Sequence, residues 1–154
     1  MLDLNVRPRH LRIDQEGERL YLTDDNFRLL VQFEIDPANG DLALLRNRPI
    51  GSPASALEIH PTGRWIVAAR ASDSVRAWSI ADDGVLTVTS GNVPTGELPV
   101  DVSFDFGGRF AYVTCQDSNE ITTLEVDLGT GVLTPSSVTR TRATPRGFTT
   151  APGL

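Results

Sequence analysis

The chain of 154 residues contains no lysine, one cysteine, one methionine and two histidines. A single thiol, Cys115, cannot close an intrachain disulfide, and with His10 and His60 it makes no ligand set at zinc-type spacing. Neither a metal nor an organic cofactor is therefore expected. No apolar run approaches the roughly 18 residues of a membrane span. The opening MLDLNVRPRH lacks a basic segment followed by an apolar one, so a cytoplasmic protein without a membrane partner is expected. Positive charge is also scarce: all fourteen basic residues are Arg, set against twenty acidic ones, for a net charge of −6. A nucleic-acid partner is excluded, because tracking a phosphate backbone needs concentrated positive charge. What is present, 40% hydrophobic and 22% charged residues, is the composition of an ordinary folded chain.

Compared with itself, the sequence is a repeat. With Gly17, Gly63 and Gly108 placed under one another, GERLYL, GRWIVA and GRFAYV align at spacings of 46 and 45 residues. An alternating stretch precedes each glycine (RHLRID, SALEIH, VDVSFD), and two more apolar-rich runs follow. Their period is that of strands, not helices. Each copy then turns through Asp, Pro and Gly (DPANGDL at 36–42, DDGVL at 82–86, DLGTGVL at 127–133) into a weaker fourth strand. Sixteen positions beyond the glycine lie Phe33 and Leu124. Trp78 arrives after fifteen, which implies one deletion in the middle copy near Ala69.

A unit of about 45 residues with four short strands is the signature of a β-propeller blade. A β-sandwich also has many short strands but does not require internal self-similarity. The expected fold is thus all-β: about three four-stranded antiparallel blades at about 7–53, 54–99 and 100–145, with 146–154 a stub. A seven-bladed ring would need roughly 320 residues at this period, so the ring is expected to be incomplete. In such blades the first strand is innermost, and polar residues near its start are those able to meet a ligand. Trp65, Trp78, Phe33, Phe104, Phe110, Tyr21 and Tyr112 recur at matching strand positions and read as core. Asp24, Asp25, Asp82 and Asp83 read as turn residues, and Cys115 as an inert buried thiol.

The strings RPRHLRIDQEGERLYLTDD, EIDPANGDLALL, HPTGRWIVAARASDSVRAWSI and FDFGGRFAYVTCQDSNEITTLEVDLGTGVLTP together resemble the seven-bladed lactonase family, whose best-known activity is that of 6-phosphogluconolactonase. The Pro-Arg-His at 8–10 and the DP-x-x-G-x-L type turns carry most of the specificity, since YLTD and YVTC also occur in YVTN-type surface propellers. The order of the copies resembles the C-terminal blades of that family.

Opening a sugar lactone needs an activated water, a group that stabilises the developing oxyanion, and positive charge for any phosphate on the substrate. The resemblance assigns proton handling to His10, seven positions before Gly17, and substrate binding to its neighbour Arg9. Arg70 matches an Arg in a Ser-Asn-Arg-Gly loop and is assigned to substrate as well. Without the resemblance, His10 reads as a residue bonded within its strand and Arg70 as a surface-loop Arg. The family's Glu is replaced by Ala56, and Glu58, two residues along the same face, is the candidate substitute for it in catalysis. Read alone, Glu58 is a solvated rim carboxylate. Asp101 keeps the Asp of the family's Pro-Arg-Asp-Phe motif, whereas Val100 replaces its Arg, and no aliphatic side chain imitates a bidentate anion contact. The function implied is hydrolysis of a sugar lactone such as 6-phosphogluconolactone in the pentose phosphate route. The competing reading is a non-catalytic binding or scaffold propeller, or an inactive fragment, with self-association or further blades covering the open blade faces.

Overall fold

The computed structural model describes residues 7–26, 28–143 and 145–146. The stub expected at 146–154 falls outside the described residues beyond Arg146. Twelve strands form three four-stranded sheets, each in sequence order. The first holds β1 (Pro8–Ile13), β2 (Arg19–Asp24), β3 (Leu29–Ile35) and β4 (Leu42–Pro49). The second holds β5 (Ala54–Ile59), β6 (Trp65–Arg70), β7 (Ser74–Ile80) and β8 (Leu86–Pro94). The third holds β9 (Pro99–Phe104), β10 (Phe110–Cys115), β11 (Glu120–Val126) and β12 (Leu133–Arg140). No stretch longer than ten residues lacks Asp, Pro or Gly, which favours short strands and turns over long helices. The result is the all-β architecture of propeller blades. The chain divides into two compact units that meet at the first residue of β5, one ending at Ala54 and the other beginning at Ser55.

The repeat survives as register. Leu20 pairs with Phe33, Ile66 with Trp78 and Ala111 with Leu124, three residues after the glycine in every case. The missing residue of the middle copy lies slightly beyond Ala69: residues 71–73 join β6 to β7, whereas four join β2 to β3 and β10 to β11. Arg70 therefore keeps its place and closes β6 as Asp24 closes β2 and Cys115 closes β10.

The turn between the first two strands of each sheet is built alike. Gly17, Gly63 and Gly108 adopt φ of +73°, +72° and +68°, a left-handed conformation that side-chain-bearing residues avoid. Their N–H groups donate to the carbonyls of Asp14, His60 and Asp105. The Asp14 carboxylate accepts from the N–H groups of Glu18 and Arg19 at 2.8 and 3.1 Å, and that of Asp105 from Phe110 and Gly107 at 2.7 and 3.2 Å.

In the first unit, Leu22, Val31 and Phe33 form the core, with Leu20 and Leu29 packed against them. The second unit has one core made by both of its sheets, in which Val67, Phe104 and Leu124 interdigitate with Ala56, Ala69 and Ala111. The alternation of small with large side chains lets the sheets approach closely, and each buried large side chain contributes about 1.5–3 kcal/mol. Trp65, Trp78, Phe33, Phe104 and Tyr21 are buried, whereas Phe110 and Tyr112 are only half-buried. The outermost strands β4 and β12 are exposed along nearly their whole length.

His60 occupies in the second sheet the turn position that Asp holds in the other two. It is fully buried, with Nδ1 accepting from the Thr62 N–H at 3.1 Å. This leaves Nε2 as the protonated nitrogen, which donates to the Gly108 carbonyl of the third sheet at 2.8 Å. The rings of Trp65 and Phe104 meet the imidazole edge-on, at 4.7 and 5.0 Å. Burial lowers its pKa from the ordinary 6.5, outweighing the Gly108 carbonyl and the Asp105 carboxylate, which favour the charged form. Ser55 Oγ donates to the Pro99 carbonyl, and the Leu133 N–H donates to Ser90 Oγ at 2.8 Å, adding two further bonds between these sheets.

Candidate functional site

β1, β5 and β9 are each the edge strand of their sheet. The position seven residues before the turn glycine is His10 in β1, Ala56 in β5 and Asp101 in β9. His10 pairs with Thr23 and Asp101 with Thr114, one residue from the end of the second strand in both sheets. The residue just before each is the extra one of a β-bulge: pairing jumps from Pro8 to His10 across Arg9, and from Pro99 to Asp101 across Val100. Strict alternation would send Arg9 and His10 to opposite faces. A bulge breaks that alternation and re-aims a side chain, a device common beside active sites.

Arg9 reaches Asp25, its Nη1 lying 3.1 Å from Oδ2 and 3.4 Å from Oδ1. Arg9 is the more exposed of the pair. An exposed pair of this kind contributes at most about 1 kcal/mol, so the guanidinium can exchange this partner for a ligand anion at little cost. His10 is half-buried, and its N–H donates to Thr23 Oγ1 at 3.2 Å. Asp24, which is fully buried, anchors the approach to β1 by accepting from the N–H groups of Arg7 at 2.6 Å and Asn26 at 3.2 Å.

Arg70 is not a surface-loop residue. It is 3% exposed, with Nη2 donating to Ser74 Oγ at 2.8 Å and Asn92 Oδ1 at 2.5 Å, and Ser72 Oγ lies 2.9 Å from Ser74 Oγ. Burial, followed by the nearby Arg76 guanidinium, lowers its pKa. These neutral partners fix the side chain while leaving its charge uncompensated by either of them.

Glu58 is half-buried, and its carboxylate accepts from the N–H of Ile59 at 3.1 Å. It lies within β5, two residues before His60, whereas Arg70 is the last residue of β6. Ala56 is buried as part of the hydrophobic core of the second unit. Asp101 is half-buried, and its carboxylate accepts from the Val102 N–H at 3.0 Å. The bulges were not legible in the sequence, because nothing in Pro-Arg-His or Pro-Val-Asp marks a pairing slip.

Cys115 lies buried with Sγ 3.7 Å from both the Val113 carbonyl and Thr122 Oγ1, and burial pushes its thiol pKa up. That suits an inert thiol. Among the described residues no group of three or more His, Cys, Asp or Glu could hold a metal ion, and no helix is long and apolar enough to cross a membrane.

The fold and these motifs recur in known proteins. A 6-phosphogluconolactonase of Pectobacterium carotovorum is 24% identical over 136 residues, which cover 83% of this chain and 41% of that protein. Among solved structures, a protein of Bacteroides fragilis superposes with a TM-score of 0.84 at 24% identity over 91% of this chain and 40% of its own. The periplasmic gluconolactonase of Pseudomonas aeruginosa gives 0.79 at 24% identity, over 89% of this chain and 40% of its own. The chain thus spans about 40% of the length of these relatives. Residues 51–146 match the profile described as Lactonase, 7-bladed beta-propeller, and the chain belongs to that family.

Proposed function

We propose that this chain contributes blades to a protein that hydrolyses a sugar lactone, 6-phosphogluconolactone being the substrate of choice, in the cytoplasmic pentose phosphate route. Family membership and relatives named 6-phosphogluconolactonase support the lactone chemistry. The observation within this chain that supports the assignment is the β-bulge at Arg9, the residue before His10, at the start of an edge strand. In this reading His10 takes a proton from the attacking water and returns it to the ring oxygen that leaves, so that water adds across the ester bond and a hydroxy acid results. Arg9 holds anionic oxygen of the substrate. Within the second unit, Arg70 at the end of β6 and Asp101 near the start of β9 are the polar groups proposed to bind substrate. Glu58, two residues beyond Ala56 in β5, is the carboxylate that would take over the acid–base work of the family's Glu.

The purified chain is expected to open 6-phosphogluconolactone faster than the spontaneous reaction, and His10→Ala is expected to remove the gain. Equal rates with and without protein would sink the proposal. They would favour instead a binding module without catalysis, a second reading supported by Ala56 in the core and Val100 at the bulge where the family motif has Arg.

A further inference from the structure

The chain enters β1 and β9 in the same way. Arg7 and Leu98 each precede the proline that opens the strand, Pro8 and Pro99. Their carbonyls accept from the N–H groups of Asp25 and Gln116 at 3.1 and 2.9 Å, each the residue just after the second strand of its sheet. Their own N–H groups both donate to a carboxylate, but the carboxylates come from different places. Arg7 donates at 2.6 Å to Oδ1 of Asp24, which closes β2 in the same sheet. The third sheet has Cys115 at that position, and a thiol is a weak acceptor. Leu98 donates instead to Oδ1 of Asp73, at 2.9 Å, in the turn between β6 and β7 of the second sheet.

Asp73 holds both ends of the connection between β8 and β9, residues 95–98. Its carbonyl accepts from the Thr95 N–H at 3.0 Å, and its carboxylate from Leu98. Between them, Gly96 and Glu97 donate to Thr122 Oγ1 and Ser118 Oγ of the third sheet, at 3.2 and 3.0 Å. The carbonyl bond recurs in every sheet. Arg28, Asp73 and Asn119, each just before the third strand and at φ of +56°, +51° and +52°, accept from Ile50, Thr95 and Thr141. Asp73 adds to it the side-chain bond to Leu98.

Leu98 itself has φ of +50°, a left-handed conformation that bulky side chains avoid. Such strain persists where the surroundings over-determine it, and it concentrates at functional sites. Here its N–H is held by the second sheet and its carbonyl by the third. Leu98 stands three residues before Asp101, with the bulge at Val100 between them, and Asp73 three residues after Arg70.

We propose that Asp73 is a positioning residue for substrate binding. By holding Leu98 it fixes the entry to β9, and with it the Val100 bulge and Asp101, against the turn that begins just after Arg70. The inference rests on the reading of Arg70 and Asp101 as substrate contacts.

Calorimetric titration with 6-phosphogluconate, the hydroxy acid that the proposed reaction releases, and steady-state kinetics with 6-phosphogluconolactone test this on the full chain. Asp73→Gly keeps the left-handed backbone without strain and removes the acceptor. It is expected to weaken 6-phosphogluconate binding about fivefold and to raise KM by a like factor, with kcat changed by less than about twofold. Asp73→Asn retains Oδ1 as an acceptor and suits a left-handed backbone, so wild-type binding and KM are expected. Asn119→Gly makes the same backbone change at the matching place in the third sheet and is expected to leave both unchanged. Asp73 is exposed, so its substitution opens no cavity, and circular dichroism checks each fold. A chain that binds 6-phosphogluconate in this pattern without accelerating lactone opening sinks the catalytic reading and leaves the positioning role standing. Wild-type affinity and KM in Asp73→Gly overturn that role, as do equal losses in Asp73→Asn or Asn119→Gly. So does a wild-type chain that binds no 6-phosphogluconate.

Discussion

The first and third sheets make the same kind of turn, from an Asp to a left-handed Gly three residues on, and differ in what lies against it. Asp14 and Asp105 cap it with their carboxylates, Gly17 and Gly108 carry it through φ of +73° and +68°, and a bulge precedes it at Arg9 and at Val100. Around Gly17 there is open space, whereas a Cβ on Gly108 would overlap the imidazole of His60. The turn's shape is thus a local property. The cost of changing it is set by the neighbouring sheet.

Gly108→Ala tests this most severely. The substitution strains the backbone and displaces a buried ring bonded to the Gly108 carbonyl, so a loss of about 2–4 kcal/mol is expected. The midpoint of urea unfolding measures it.

The next effect depends on pH. The folded state holds the His60 imidazole neutral, with its pKa lowered by burial, whereas the unfolded chain protonates it near the ordinary 6.5. Below that value the unfolded state binds more protons. Stability is therefore full above pH 6.5 and falls as the pH drops towards the lower folded value, by up to about 1.4 kcal/mol per pH unit. His60→Gln should remove this component of the slope in urea titrations at a series of pH values. A wild-type slope identical to that of the variant would show that the ring titrates freely.

Gly17→Ala meets no neighbour, and only the strain of a left-handed alanine, about 1 kcal/mol, is expected. An effect equal to that of Gly108→Ala would erase the distinction between the two turns. The smallest stability change belongs to Arg9→Ala, within about 0.5 kcal/mol, because its pairing with Asp25 is exposed. The same variant should raise the KM for a phosphorylated lactone. A variant with lost stability and unchanged KM would make Arg9 a structural residue.

Strand order, the turn glycines and the turn acids were legible in the sequence because they are set by local rules: alternation of apolar residues, a left-handed backbone where glycine stands, and carboxylates beside free N–H groups. Much of the candidate site was legible only as composition. Pro-Arg-His named Arg9 and His10 but not the bulge that lets neighbours escape strict alternation. Arg70 reads as a loop residue because it matches an Arg in a Ser-Asn-Arg-Gly loop, whereas the turn begins just after it and leaves it buried at the end of β6.

By itself, then, the sequence determined three repeated four-stranded sheets and the family to which they belong, since a 45-residue period and its turns are encoded by residues close in the chain. Tertiary structure alone decided that His60 is a bonded core residue spanning two sheets, that Ala56 is packed in apolar surroundings, and that Gly17 and Gly40 stand open where Gly108 and Gly131 are covered. Those outcomes depend on groups such as His60 and Gly108, 48 residues apart, meeting in space, and no local pattern carries that information.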